Sequence, residues 1–168
     1  MIVELCDIRP GDGACWYWSI LDQLKIHNIT SFPKIGRFKN DEFPTTAHAL
    51  RKYVCKFLPR LPQAKQWRDN LFKNTKEFND FIKKHEKENE WTDEKGIMCT
   101  ATALIVGRRI HVIGSIDYSG QADPFTTLES IPGSENLPPL TVGYLQDFHY
   151  QSLKPSNIQK CTLENEPS

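Results

Sequence analysis

A cysteine that directly follows a glycine-bracketed loop is the first feature of this sequence that suggests chemistry. The stretch Gly11-Asp12-Gly13-Ala14-Cys15 places two glycines around an aspartate just before the thiol. Glycine reaches backbone angles that are closed to other residues, so the stretch predicts a tight loop. The amides of such a loop are suited to hold a developing oxyanion beside the cysteine.

The residues after the cysteine predict a helix over 15–25. Its apolar positions recur at i, i+3, i+4 and i+7, and they are Tyr17, Ile20, Leu21 and Leu24. Cys15 would then lie at a helix N-terminus, where the unpaired amides and the helix dipole favour a reactive thiolate. The alternative is that Cys15 is a small buried hydrophobe, which is the commoner role of a cysteine entering a helix.

A late histidine is the best candidate partner for this thiol. His149 begins a predicted strand just after a turn, so we expect it near a rim of the sheet. His27 and His48 lie in or beside early helices, His85 in a charged run that predicts a solvated helix face, and His111 within a strand. A lone strand histidine is often structural, but a Cys–His pair would form a thiolate and divide hydrolysis into acylation and deacylation.

Caps and periodicity predict the other elements. Thr45 or Thr46 caps a helix that ends at Pro59, Asn74 and Glu77 begin the second of two helices within 63–90, and Gly107 ends a helix opened by Trp91-Thr92-Asp93-Glu94 with Thr92 as N-cap. Strands are predicted at Arg109–Ile113, within Phe125–Ile131, at Leu140–Leu145 and at Phe148–Leu153, with a weaker signal near Val3. Helices followed by strands predict an α+β sandwich.

The composition of the whole chain excludes several classes of partner. Lys+Arg and Asp+Glu both number 21, so no net charge favours nucleic acid or an anionic membrane. No apolar run approaches the roughly 20 residues of a membrane span, and no signal peptide is expected. Five cysteines without CxxC spacing argue against a disulfide framework and a thiolate zinc site, and they favour a reducing, cytoplasmic setting.

Three blocks of the chain together resemble the OTU (ovarian tumour) family of cysteine proteases. They are Asp12–Cys15 with its aromatic helix, Trp91 ahead of Arg109–Ile113, and Phe148-His149-Tyr150 after a strand. The resemblance implies a papain-like α+β fold, with a small, mainly antiparallel sheet sandwiched between helices. It also implies a catalytic domain over 1–155, followed by a polar C-terminal tail over 156–168.

The resemblance also implies an activity. OTU enzymes cleave ubiquitin, or a ubiquitin-like modifier, from lysine side chains after the modifier's C-terminal glycine. Cys15 would match the nucleophile, His149 the general base and Asp12 the family's loop aspartate, with the amides of Gly13 and Ala14 in the oxyanion loop. We expect no cofactor and no metal, a monomer, ubiquitin or polyubiquitin as partner, and action in the cytosol, or in a host's cytosol.

The sequence departs from the family at the third member of the triad. Two residues after the histidine the family often has Asp or Asn, and this chain has Gln151. Asp12 is therefore our first candidate and Gln151 our second. Ala14 replaces a common Asn, and Trp91 lacks the Gly that often follows it. Either Trp16 or Trp18 is a candidate wall for the channel of a Gly-Gly tail, while core packing is expected for at least one of them.

Two other functions remain open at this point. The same fold could bind ubiquitin with weak or no catalysis, which the uncharged Gln151 keeps possible. Another papain-like acyl transfer, on a different amide, is the second alternative. The family also leads us to expect the body of ubiquitin against residues 63–90 and 114–139, although 63–90 could simply pack as a helical lid.

Overall fold

The fold is described by a computed structural model that covers residues 3–5, 14–87, 90, 96–114, 125–145 and 149–155. The helices are α1 (Cys15–Ile26), α2 (Ala47–Phe57), α3 (Ala64–Leu71), α4 (Thr75–His85) and α5 (Ile97–Val106). The strands are β1 (Val3–Leu5), β2 (Ile110–Gly114), β3 (Phe125–Leu128), β4 (Leu140–Leu145) and β5 (His149–Pro155). Within these ranges, no helix has both the length and the apolar character needed to cross a bilayer.

The strands form one sheet in the order β1-β5-β4-β2-β3. The pairs β1–β5, β4–β5 and β2–β3 are antiparallel, and β2–β4 is parallel. The predicted α+β class with a mainly antiparallel sheet is therefore confirmed. The strand β5 is shared between two neighbours: its first part, from His149 to Ser152, pairs with β4, and its second part, from Leu153 to Pro155, pairs with β1.

The core lies where α1 packs between the sheet and the helices α2 and α5. Trp16 on α1 is fully buried, and its indole N–H donates to Thr102 Oγ1 on α5 at 3.1 Å. Almost every residue of α5 is buried, so this helix has no solvent face to give it an amphipathic pattern. The first turn of α1 is consequently held from two sides by close packing.

The helix ends follow the local chemistry that predicts them. Thr46 caps α2 by accepting a hydrogen bond from the Ala49 N–H at 3.0 Å. Asn74 caps α4 by accepting from the Glu77 N–H at 2.8 Å, while the Glu77 carboxylate accepts from Lys73 N–H, one residue before the cap. Gly107 ends α5 in the left-handed region, at φ 74°.

Two local predictions are wrong. The helix α5 begins at Ile97, not near Thr92, because Gly96 takes a left-handed conformation at φ 73° and separates the helix from what precedes it. Trp91 and its neighbours through 95 lie outside the described residues. His85, predicted to lie in a solvated charged run, is only 3% exposed because its ring packs on Phe81 at 4.4 Å between centroids.

Candidate active site

Cys15 is the first residue of α1, as the loop-to-helix pattern predicts. Ala14 precedes it as N-cap without a side-chain cap, and the Trp18 N–H donates to the Ala14 carbonyl at 3.0 Å. The Ser19 hydroxyl donates to the Cys15 carbonyl at 2.7 Å and tightens this turn. The thiol therefore lies at the positive end of a twelve-residue helix, where a thiolate is favoured.

A hydrogen bond joins this thiol to the strand that carries His149. The Tyr150 N–H donates to Cys15 Sγ at 3.3 Å, across 135 positions of sequence. Among the described residues, β1 pairs with just the last three residues of β5, from Leu153 onward, and so leaves this amide to the thiol. Cys15 thus occupies a stretch of strand edge, beside the residue that follows His149.

His149 is the first residue of β5, where its backbone lies opposite Leu145 of β4. The predicted position at the start of a strand is confirmed, and the strand brings this backbone next to the bond between Tyr150 and Cys15. The side chain of His149, together with Asp12 and Gly13, lies outside the described part of the structure. The fold therefore brings Cys15 next to the strand that carries His149, the other member of the predicted Cys–His pair.

The ring of Tyr150 holds this part of β5 in place. It meets the edge of the Trp16 ring at 4.9 Å and the Tyr144 ring at 5.1 Å between centroids. Its hydroxyl lies 4.0 Å from the thiol of Cys99 on α5. Aromatic pairs in these geometries stabilise beyond their buried area. The backbone N–H that reaches Cys15 is thus carried by a residue packed on three sides.

A crevice opens beside the thiol between α1 and β5. Its lining consists of Cys15, Trp18, Ser19, Leu21, Asp22, Lys25, Tyr150, Gln151 and Ser152. Gln151 is only 2% exposed and lines the same crevice as Cys15. The expected core packing is confirmed for Trp16, which is fully buried, whereas the partly buried Trp18 lines the crevice.

Burial shifts the pKa of two groups outside the crevice, Cys55 and His111. The described cysteines Cys15, Cys55 and Cys99 form no disulfide. Burial, and secondarily the charge of Glu86, raises the pKa of the Cys55 thiol to about 12, so that thiol is unreactive at neutral pH. Burial, with Arg109 nearby, lowers the pKa of His111 on β2, which keeps that imidazole neutral. Across the described ranges, no three His, Cys, Asp or Glu residues are grouped to hold a metal ion.

Sequence reasoning missed one buried residue in this region, Gln23 on α1. Its side-chain amide hydrogen-bonds to both β4 and β5, and it is only 1% exposed. A signal was available, because Gln23 follows Ile20 by three residues and so falls on the apolar face of the predicted helix. A polar side chain on a buried face must find partners, but the sequence does not say which.

Comparison with known proteins gives a consistent answer on the fold alone. No protein-family model matches the chain, and no curated protein matches it. Solved structures do match. The OTU domain of OTUD1 shares 14% identity at a TM-score of 0.62, covering 91% of this chain and 86% of that one. The viral OTU domain protease of Taggert virus shares 17% identity at a TM-score of 0.58, covering 92% and 80%.

A third match was solved with its partner. The OTU deubiquitinase of Wolbachia pipientis wMel, bound to ubiquitin, shares 14% identity at a TM-score of 0.52, covering 92% of this chain and 97% of that one. Each of these likenesses covers more than nine-tenths of this chain, while the sequences have diverged widely. The resemblance drawn from three short sequence blocks is thereby confirmed for the fold. The chain has the fold of an OTU domain.

Proposed function

We propose that this chain is a thiol-dependent deubiquitinase, which hydrolyses the isopeptide bond after the C-terminal glycine of ubiquitin or a ubiquitin-like modifier. The observation that carries the proposal is the hydrogen bond from the Tyr150 N–H to Cys15 Sγ. It joins a thiol at a helix N-terminus to the start of the strand that carries His149. The OTU fold of the solved neighbours supports the same class of chemistry.

In this proposal Cys15 is the nucleophile and His149 the general base. The imidazole takes the thiol proton, and the thiolate attacks the carbonyl carbon of the modifier's last glycine. The proton then passes to the lysine nitrogen as the C–N bond breaks, which leaves a thioester on Cys15 and a free lysine amine. Water, deprotonated by the same imidazole, hydrolyses the thioester and releases the modifier's carboxylate. No cofactor is required.

The developing oxyanion is assigned to backbone amides at the start of α1. Amides of Gly13, Ala14 and Cys15 are the candidates, since the carbonyl oxygen of a substrate attacked by Cys15 would develop its charge beside that first turn. The replacement of a common Asn by Ala14 removes a side chain but keeps the backbone donor. The N-terminal end of α1 adds a favourable field for the same negative charge.

Asp12 remains the first candidate for the residue that orients His149, and Gln151 the second. A carboxylate stabilises the imidazolium that forms during catalysis, which a neutral amide does less well. The position of Gln151 supports it as a candidate, because it is buried and lines the crevice beside Cys15. Trp18, in the same crevice, is the tryptophan we assign to the wall of a channel for the Gly-Gly tail.

The alternative is a ubiquitin-binding module that has the fold but little or no catalysis. The neutral Gln151 is the observation that favours it. A ubiquitin derivative with a C-terminal electrophile separates the possibilities, because an active enzyme forms a covalent adduct with it. Ubiquitin is a eukaryotic modifier, so we place the action in the cytosol of a eukaryotic cell.

The matched variants for this test are Cys15→Ala and Cys55→Ala. We expect the natural chain and Cys55→Ala to form the adduct, and Cys15→Ala to form none while still binding ubiquitin. Co-elution with ubiquitin without any adduct from the natural chain would favour the silent binding module. A chain that neither labels nor binds would point to another acyl transfer and sink the proposal.

A further inference from the structure

The side-chain amide of Gln23 lies between β4 and β5 at the end of their ladder, where it bonds to the backbone of both strands. The ladder between β4 and β5 ends at the pair Val142↔Ser152, while on the other edge of β5 the ladder with β1 begins at the pair Leu153↔Leu5. In register, the next partner of Leu153 on β4 would be Thr141. Gln23 fills this position: its Oε1 accepts from the Thr141 N–H at 2.8 Å, and its Nε2 donates to the Leu153 carbonyl at 2.5 Å.

These two bonds replace a backbone bond between the strands. The Tyr150 N–H points to Cys15, away from β4, so the pair Tyr144↔Tyr150 does not exchange ladder bonds. Hydrogen-bonded and non-bonded pairs alternate along an antiparallel ladder. Thr141 and Leu153 would therefore form a hydrogen-bonded pair. The Gln23 amide replaces that bond by accepting from the Thr141 N–H and donating to the Leu153 carbonyl.

The inserted amide belongs to the helix that carries Cys15. Gln23 lies eight residues after Cys15, which is about 12 Å along a helix. Leu153 lies three residues after Tyr150, which is about 10 Å along a strand. Helix and strand thus run side by side in the same direction, attached at one end through the thiol and at the other through Gln23.

We infer that Gln23 is a positioning residue, which sets the alignment of α1 along β5 and with it the placement of Cys15 relative to His149. This inference rests on the proposed function. A third bond, from Gln23 Nε2 to Ser152 Oγ at 2.8 Å, fixes the orientation of the amide. A side chain with both a donor and an acceptor satisfies this position, where Ser152 and Leu153 are buried and Thr141 is partly buried.

The test compares Gln23→Leu with the control Val54→Ala. Val54 is a fully buried residue on α2, and in the described part of the chain no hydrogen bond joins it to β4 or β5. Gln23→Leu leaves the Thr141 N–H and the Leu153 carbonyl unpaired, so both variants lose stability. Ser152→Ala removes only the third bond and perturbs the same junction more mildly, so it carries the test if Gln23→Leu fails to fold.

Two measurements are made on each folded variant. One is kcat and KM for a ubiquitin substrate, and the other is the pH profile of Cys15 alkylation by iodoacetamide, followed at the Cys15 peptide. We expect the junction variants to lower kcat by about 10- to 100-fold with KM nearly unchanged, since a 1 Å misplacement can cost that much. We also expect them to shift the alkylation profile, whereas Val54→Ala moves neither.

A junction variant that changes stability alone, with kcat and the alkylation profile as in Val54→Ala, overturns the inference and leaves the proposed function standing. A natural chain inactive on ubiquitin substrates overturns the proposed function instead. The alkylation profile still decides the role of Gln23 in that case, because it depends on the thiol and its neighbours and needs no ubiquitin.

Discussion

The guanidinium of Arg51 on α2 lies over the ring of Tyr17 on α1, with 4.6 Å between Cζ and the ring centroid. Arg51 is fully buried, and its Nη1 donates to the carbonyl of His85, the last residue of α4, at 3.0 Å. One side chain therefore ties three helices together. Because Tyr17 is two residues after Cys15, the end of α4 is held close behind the first turn of α1.

Replacing this arginine should destabilise the fold. We expect Arg51→Met to lower the free energy of unfolding by roughly 1–3 kcal/mol, because it removes the cation over Tyr17 and the hydrogen bond to the His85 carbonyl. Urea unfolding measures the loss, with the exposed neighbour Lys52→Met as control. Equal stability of the two variants would contradict the role given to Arg51.

The kinetics of two variants decide the third member of the proposed triad. Asp12→Ala should lower kcat by more than Gln151→Ala, because a carboxylate stabilises an imidazolium and a neutral amide does so less. KM should change little in either variant. A larger loss of kcat in Gln151→Ala would transfer the orienting role to the glutamine, and circular dichroism of both variants checks that the buried Gln151 site still folds.

The two exposed leucines Leu71 and Leu137 test where ubiquitin docks. They are 42% and 43% exposed, but Leu71 lies at the end of α3 and Leu137 lies just before β4. Because His149 faces the last residue of β4, residues 129–139 lie at the opposite end of the sheet. The flanks of 115–124, Gly114 and Phe125, lie at the His149 end.

The expected ubiquitin surface is therefore narrower than residues 63–90 and 114–139 as a whole. Leu71→Asp should raise KM for ubiquitin substrates by about 5- to 30-fold, as the loss of an interface anchor does. Leu137→Asp should leave KM unchanged, and neither variant should alter alkylation of Cys15 by a small reagent. A rise in KM from Leu137→Asp alone would move the docking surface to the other end of the sheet.

Two glycines in left-handed conformations make a second matched pair. Gly36 has φ +56° and open space where a Cβ would lie, while a Cβ on Gly107, at φ +74°, would collide with the ring of Pro33. Gly36→Ala should cost about 1–2 kcal/mol from backbone strain. Gly107→Ala should cost about 1–3 kcal/mol more, because Pro33 must move. Thermal unfolding of both variants measures the difference, and equal losses would show that Pro33 yields freely.

Local chemistry explains what the sequence predicts well. Thr46 and Asn74 begin their helices, and Gly107 ends one, through groups that lie within four residues of them. Composition and spacing are therefore sufficient to predict these helix boundaries. The resemblance to OTU proteases likewise rests on short blocks around Cys15, Trp91 and His149. These features place Cys15 and His149 correctly on α1 and β5.

Features that depend on contacts between distant segments cannot be predicted from the sequence pattern. Gln23 is recognisable as a polar residue on an apolar face, but its partners on β4 and β5 lie 118 to 130 residues away. His85 is buried because Arg51 and Phe81 meet it, although its own neighbours in sequence are charged. The start of α5 depends on the backbone angle that Gly96 adopts, which composition alone leaves open.

Two side chains of α1, the Cys15 thiol and the Gln23 amide, accept hydrogen bonds from backbone N–H groups of the sheet. The exchange of these two hydrogens with deuterium therefore measures the motion of α1. The Thr141 N–H and the Tyr150 N–H bond to side chains of α1 rather than to a neighbouring strand, so their deuterium uptake requires the helix to release them. Equal uptake rates at the two N–H groups mean that α1 moves away as one rigid unit, and faster uptake at Tyr150 means that the first turn of α1 opens alone. Alkylation of Cys15 should speed uptake at Tyr150 only.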